Sequence, residues 1–256
     1  MTNFIQEIEE NGFATIDSYL NLDSVDLLIK AIDDLNLSPG RAGIRNLLKL
    51  SPYIQKLAQS QEICSLVEPI LGDKVRVVRG IFFDKQPTAN WKVPWHQDVT
   101  IAVKNRLDVA GYHPWSIKAG IHHVQPPTAI LEQMLTVRIH LDRTDESNGS
   151  LKVIPGSHAH GKLNDIESDS LSAKADAVPN GRLTPTRTET LRERWKQLSS
   201  GISCNLEPGG VLLMRPLLLH ASSMATIPSH RRVIHLEYAS HPLPSGLAWY
   251  SDAMVR

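Results

Sequence analysis

The sequence predicts a mainly β protein, a jelly roll backed by N-terminal helices, and three observations carry that reading. From Val75 onward the chain breaks into short β-type runs, VRVVRGIFF, LTVRIHL, LKVIP, ISCNLEP, GGVLLM and RVIHLEY, separated by turn clusters of Pro, Gly, Asn and Asp. No βαβ alternation and no repeat of fixed period accompanies them, which disfavours a doubly wound sheet or a solenoid. The first 74 residues carry helical spacing instead and read as an outer layer on the strands.

Within that layer, Ser24 to Leu35 places apolar residues at helical intervals, Ser51-Pro52 opens a helix, and Gln61 to Leu71 forms another that Gly72 stops. The strands then occupy about 75–240. Two long stretches interrupt them, about 99–134 and 162–200, and connections of that length serve as lids or binding segments. The first holds Trp115, His122-His123 and the stiff Pro126-Pro127 step; the second ends in the short helical run LRERWKQL, and its plainer reading is a surface excursion. At 256 residues a single catalytic domain, 1–256, is expected.

Charge narrows the function classes. The 27 basic residues balance 27 acidic ones, so no overall field favours nucleic acid or an anionic membrane. The start, MTNFIQEIEENG, has no apolar core, and no stretch offers 18 uninterrupted apolar residues, so the expectation is a cytoplasmic protein acting on a small molecule. Oligomeric state is left open. Cys64 and Cys204 stand far apart with no metal or redox spacing, which predicts two buried, inert thiols.

Two histidines and one carboxylate can hold one face of a six-coordinate iron and leave three positions for co-substrate and oxygen. A histidine and a carboxylate two residues apart on a strand point to the same side. Three such pairs occur, His96/Asp98, His140/Asp142 and His235/Glu237, so spacing alone decides nothing. His96-Gln97-Asp98 follows NWKVPW and precedes the first long loop, at a strand end where a pocket mouth can form. His140 ends the strand Leu135 to Leu141, where Leu135, Val137, Ile139 and Leu141 alternate with Thr136, Arg138 and His140. The apolar face then packs on the helices and the polar face turns Arg138 and His140 into the cavity. Asp142 opens the turn DRTDESNG, where turn chemistry alone accounts for it.

A third ligand is expected on a later strand, and GGVLLMRPLLLHASS delivers His220 at the end of an apolar run. Arg231 and Arg232 follow eleven and twelve residues on, and an arginine at a cavity can grip a carboxylate bidentately. Alternation puts Arg231, Val233 and His235 on the cavity side and Arg232, Ile234, Leu236 and Tyr238 against the helices. Arg231 is therefore the better anchor.

Together VPWHQD, DRTDESNGSLKVIPGSH, PGG with PLLLHASS, and the following arginine resemble the phytanoyl-CoA dioxygenase family, over about Arg79 to Tyr238. The resemblance implies a double-stranded β-helix of cupin-like form, with Fe(II) at His96, Asp98 and His220. It also implies 2-oxoglutarate held by Arg231, with Ser222 as an accessory donor, and consumption of O2. Arg138 stands where members of the family often place a pocket aromatic, so Arg138 and His140 would suit a polar or anionic substrate. Trp91, Trp95 and Trp115 are available to wall the entrance or, as tryptophans more commonly do, to pack in the core. The activity implied is oxidation of an unactivated carbon, most often hydroxylation, with release of succinate and CO2. Desaturation, cyclisation and demethylation are alternative outcomes. Halogenation needs a small residue in place of Asp98. A non-catalytic jelly-roll binding protein, and a hydrolase or isomerase on a similar barrel, are the readings from other classes.

Overall fold

Strand pairing organises the molecule around a cavity between two antiparallel sheets. The computed structural model describes residues 4–35, 43–163, 201–251 and 253–254. The helices are α1 (Phe4–Asn11), α2 (Leu22–Asp33), α3 (Leu47–Leu50), α4 (Pro52–Ala58), α5 (Gln61–Leu71) and α6 (Thr128–Glu132). The strands are β1 (Phe13–Ile16), β2 (Gly43–Ile44), β3 (Arg76–Lys85), β4 (Val93–His96), β5 (Ile101–Val103), β6 (Trp115–Lys118) and β7 (Ile121–Val124). They continue as β8 (Met134–His140), β9 (Leu151–Val153), β10 (Ile202–Cys204), β11 (Val211–Met214), β12 (His220–Ser222), β13 (Arg231–Ala239) and β14 (Ala253–Met254). The major sheet runs β1-β11-β8-β13-β3-β14 with β2 on β3, and the minor sheet runs β10-β9-β12-β4. This is the predicted jelly roll with helical cover.

The helix signals act as expected. Ser51 caps α4, its Oγ accepting from the Ile54 amide at 3.3 Å with Pro52 at the first helical position. Gly72 ends α5 at φ +88°, a conformation that glycine adopts without strain. Leu135, Val137, Ile139 and Leu141 of the β8 row join Ile234, Leu236 and Tyr238 of β13 in one core with Leu28, Ile54, Ile63 and Val67 of the helices. Each such buried side chain contributes about 1.5–3 kcal/mol. Tyr238 Oη, deep in this layer, donates to the Ala58 carbonyl at 2.8 Å and ties β13 to α4.

Two sequence expectations need correction. The first third is not wholly helical: Phe13–Ile16 is an edge strand of the major sheet, paired with β11, and Gly43–Ile44 pairs with β3. Runs this short carry too little periodicity to separate strand from turn. The stretch 99–134, expected to interrupt the strands as a lid or binding segment, carries strands of its own, and its Val99, Thr100 and Lys118 line the cavity. It folds into a three-stranded sheet, β5-β7-β6, whose Ile101, Val103 and Val124 pack with Tyr112, Leu217 and Trp249 in a second core. The other expected lid falls mainly on 164–200, outside the described residues. Both thiols are buried, and burial pushes Cys64 up to about 11 and Cys204 up to about 12.

Candidate active site

The inner face of the major sheet presents its side chains in registered layers. Arg231 lies opposite Lys85, Val233 is flanked by Phe83 and His140, His235 by Ile81 and Arg138, and Glu237 by Arg79 and Thr136. A cavity of about 340 Å³ opens over these layers, faced from the minor sheet by His220 and Ser222.

His96 closes β4 and His220 opens β12, where the two residues sit directly across the ladder. Asp98 lies just past the strand, its amide donating to the Pro216 carbonyl at 2.9 Å. Gln97 staples the turn: its Nε2 donates to the carbonyls of Leu217 at 2.6 Å and Gly161 at 2.9 Å, and its Oε1 accepts from the Leu163 amide at 2.8 Å. His96 Nδ1 meets the Pro94 carbonyl and His220 Nδ1 the Leu218 carbonyl, both at 2.9 Å. A carbonyl only accepts, so each Nδ1 carries the proton and each Nε2 lone pair is left to face Asp98.

Those Nε2 atoms lie 3.9 Å (His96) and 3.7 Å (His220) from the Asp98 carboxylate, too far for hydrogen bonds. They are near enough to share one ion, because two donors each about 2.1 Å from a metal are at most about 4.2 Å apart. Among the described residues this trio is the one cluster whose ligand atoms converge, all within 4.8 Å. Burial, with His96 beside it, pushes His220 down to about 3, so its imidazole is neutral at pH 7. Burial alone would raise Asp98, but His220 and His96 outweigh it and keep the carboxylate ionised. Three electron-pair donors converging without a proton to share are suited to a cation.

Arg231 is buried and lines the cavity at the Ser222 end. Its Nη1 donates to the Gly149 carbonyl at 2.7 Å, and Ser222 Oγ donates to the same oxygen at 2.8 Å. Lys85 Nζ, fully buried, donates to Ser222 Oγ at 2.8 Å and to the Ser223 carbonyl. Burial, and then the Arg231 charge, bring Lys85 down to about 7. Burial and the Arg138 charge likewise bring Arg231 down to about 9. Two cations held together out of water fit a dianionic ligand.

The model of the family described as phytanoyl-CoA dioxygenase matches residues 8–233. The chain belongs to the phytanoyl-CoA dioxygenase family. As a member of this family it is an Fe(II)- and 2-oxoglutarate-dependent oxygenase that consumes O2. No curated protein matches it. Similar solved structures include EctD from S. alaskensis in its apo form, 20% identical with a TM-score of 0.65, covering 94% of this chain and 77% of that one. The epimerase SnoN from nogalamycin biosynthesis is 15% identical with a TM-score of 0.65, covering 99% and 97%. HygX from Streptomyces hygroscopicus, with nickel and 2-oxoglutarate bound, is 14% identical with a TM-score of 0.62, covering 99% and 96%. At these identities the likeness is one of fold, the cupin-like jelly roll of the family.

Against the expectations for this dioxygenase-family chain, Arg138 does line the cavity, but His140 does not. His140 is fully buried beneath that layer, its Nδ1 bonded to Thr144 Oγ1 at 2.8 Å, and its Nε2 has no partner among the described residues. Its strand face was legible in the alternation, but its depth was not. Asp142 does more than shape a turn: it clamps Arg232, accepting from Nη2 at 2.7 Å, from Nε at 3.0 Å and from the Arg232 amide at 2.7 Å. That clamp leaves Arg231 as the arginine facing the cavity. Of the tryptophans, Trp91 walls the cavity, Trp95 packs on Ile154 and Leu219, and Trp115 joins the second core.

Sequence reasoning missed a buried polar chain. Arg138 Nη1 donates to His235 Nδ1 at 3.0 Å, His235 Nε2 donates to Glu237 Oε1 at 3.3 Å, and Arg79 Nη1 donates to that oxygen at 3.1 Å. His235/Glu237, a pair that spacing alone could not rank, thus carries the polar floor of the site. The signal was present in the alternation of β13, where Arg231, Val233, His235 and Glu237 share one face.

Proposed function

We propose that this oxygenase hydroxylates an unactivated carbon of a small, polar metabolite, with release of succinate and CO2. In this reading His96, Asp98 and His220 hold Fe(II), and Arg231 takes the distal carboxylate of 2-oxoglutarate with Ser222 in support. The observation that carries it is the convergence of two imidazole Nε2 atoms on the Asp98 carboxylate in a cavity whose end is lined by Arg231, with Lys85 buried behind Ser222 beside it. Iron with bound 2-oxoglutarate would supply the oxidising power there, drawing on O2.

The protein's own residues orient and exclude. Nδ1 contacts fix both imidazole tautomers, Gln97 holds the ligand-bearing turn, and the Gly149 carbonyl aims the Arg231 guanidinium. Phe83, Ile81 and Trp91 present apolar surface to the cavity between its polar ends and keep water from the carbon to be oxidised. Arg138, braced by His235, supplies a polar contact to the substrate. We take the chain to act as one catalytic domain in the cytoplasm on a small molecule. The balance of 27 basic and 27 acidic residues supports that choice over nucleic acid or a membrane surface.

The test is turnover of a panel of small polar metabolites with Fe(II), ascorbate and 2-oxoglutarate, reading succinate and product mass together. Gain of one oxygen atom coupled to succinate supports hydroxylation. Loss of two hydrogens would replace it with desaturation or cyclisation. Folded, iron-loaded protein that forms no succinate with any compound would contradict the reading.

A further inference from the structure

The far end of the cavity is more basic than iron and 2-oxoglutarate require. Arg45, Arg79 and Lys118 all line it, contributed by the chain just after β2, by β3 and by the end of β6. Arg79 is engaged by Glu237 at 3.1 Å. Arg45 and Lys118 are exposed at the mouth and have no hydrogen-bond or ion-pair partner among the described residues.

Register places this cluster away from the co-substrate. Arg79 is six residues from Lys85 on β3, and its partner Glu237 is six residues from Arg231 on β13. At about 3.3 Å per residue that is roughly 20 Å along the strands, far beyond the reach of a five-carbon diacid anchored at Arg231. On the minor sheet, Ser222 stands at the Arg231 end and His220 two residues on. Arg79 Nη1 reaches the Thr100 carbonyl at 3.5 Å, two residues past Asp98, so the metal-ligand trio borders this far end within the same cavity that Arg231 lines. From the far end a bound molecule reaches the trio from the side opposite Arg231.

Like charges gathered there favour an anion. Burial and then the Arg79 charge lower Arg45, while burial and then the Arg45 and Arg79 charges lower Lys118 against the opposing pull of Asp98. Glu237 is already shared by Arg79 and His235.

Building on the oxygenase reading, we propose that the substrate carries a carboxylate or phosphate group, held by Arg45 and Lys118 above Arg79, with the carbon to be oxidised directed toward the trio. A charged hydrogen-bonded grip of this kind both orients the substrate and sets its specificity.

Saturation-transfer NMR on the methyl protons of methyl phosphate, acetate and methanol tests this, using metal-free protein and protein loaded with Zn(II) and 2-oxoglutarate. We expect a saturable signal from at least one anion and none from methanol. It should weaken at least tenfold in affinity in Arg45→Ala/Lys118→Ala and persist in Arg45→Lys/Lys118→Arg. Stronger methyl phosphate assigns a phosphoryl substrate, and stronger acetate a carboxylate. The proposal is overturned if neither anion gives a signal, if the signal survives the double alanine change, or if 2-oxoglutarate displaces it. Calorimetric titration of 2-oxoglutarate into the same samples separates the two readings. Intact co-substrate binding without an anion signal sinks only this inference, whereas no co-substrate binding by metal-loaded wild type sinks the oxygenase site.

Discussion

Arg231 donates through Nη1 to the main-chain carbonyl of Gly149 at 2.7 Å, so a glycine carbonyl aims the arginine at the cavity. The carbonyl is delivered by a built turn: Asp145 caps the short helix Glu146–Asn148, and Asn148 bonds back to the Asp145 amide at 2.9 Å and donates to the Arg143 carbonyl at 2.7 Å. Gly149 then takes φ +77°, where a Cβ would collide with the Ser223 carbonyl oxygen and crowd Lys85 Nζ at 3.0 Å.

Gly149→Ala is therefore expected to destabilise the fold by more than about 1 kcal/mol and to loosen 2-oxoglutarate binding as well. Urea unfolding and calorimetric titration of the co-substrate check the two effects. An unchanged affinity would mean that the carbonyl does not position Arg231.

The adjacent arginines should part company. Arg231→Ala removes a charged grip worth about 1.5–3 kcal/mol and should weaken 2-oxoglutarate roughly 10- to 100-fold while iron binding persists. Arg232→Ala breaks the half-buried clamp on Asp142, with about 1–3 kcal/mol lost in stability and co-substrate binding retained. Anaerobic titration of iron-loaded protein ranks them, and the opposite order would place the wrong face of β13 in the cavity.

Much of this was readable from alternation and turn chemistry. The β8 and β13 rows separate core from cavity because their side chains alternate strictly, and Ser51-Pro52 and Gly72 mark helix ends because their backbone needs are local. The edge strand Phe13–Ile16 was not readable, because a four-residue run gains its identity from pairing with β11. Lys85, Arg79 and Glu237 were missed for a related reason: a charged residue in a strand becomes a site residue only through partners far along the chain. His140 shows the converse limit, since alternation assigns a face but not a depth.

Lys85 should make co-substrate affinity depend on pH. Burial and Arg231 leave it near 7, so above that pH the amine of the free protein loses its proton. A bound dianion favours the charged amine, so binding takes up a proton and affinity should fall as pH rises from about 7 to 9, by up to about tenfold per unit. Lys85→Met should bind more weakly at pH 7 and show a flatter profile. Parallel profiles for the two proteins would remove Lys85 from the site.

Acid stability tests the buried histidines. Burial, then Arg79, pushes His123 down to about 4, so the folded state refuses a proton that the unfolded chain accepts below about 6.5. Stability should fall as pH drops from about 6.5 toward 4, at up to about 1.4 kcal/mol per unit from this residue. His123→Asn keeps an N–H for the Ile121 carbonyl that His123 Nδ1 meets at 2.9 Å, and should lessen that slope. Denaturant unfolding at pH 7 and pH 5 reads the difference, and equal slopes would refute it.

The most direct test of the proposed centre is iron content after anaerobic reconstitution of alanine variants at both H-x-D pairs. Wild type, His140→Ala and Asp142→Ala should retain stoichiometric Fe(II), with the two variants losing stability instead, because His140 bonds Thr144 and Asp142 clamps Arg232. His96→Ala, Asp98→Ala and His220→Ala should lose iron while remaining folded, since two protein ligands seldom retain it. Iron kept by the His96, Asp98 and His220 variants and lost from the His140 and Asp142 variants would contradict the assignment.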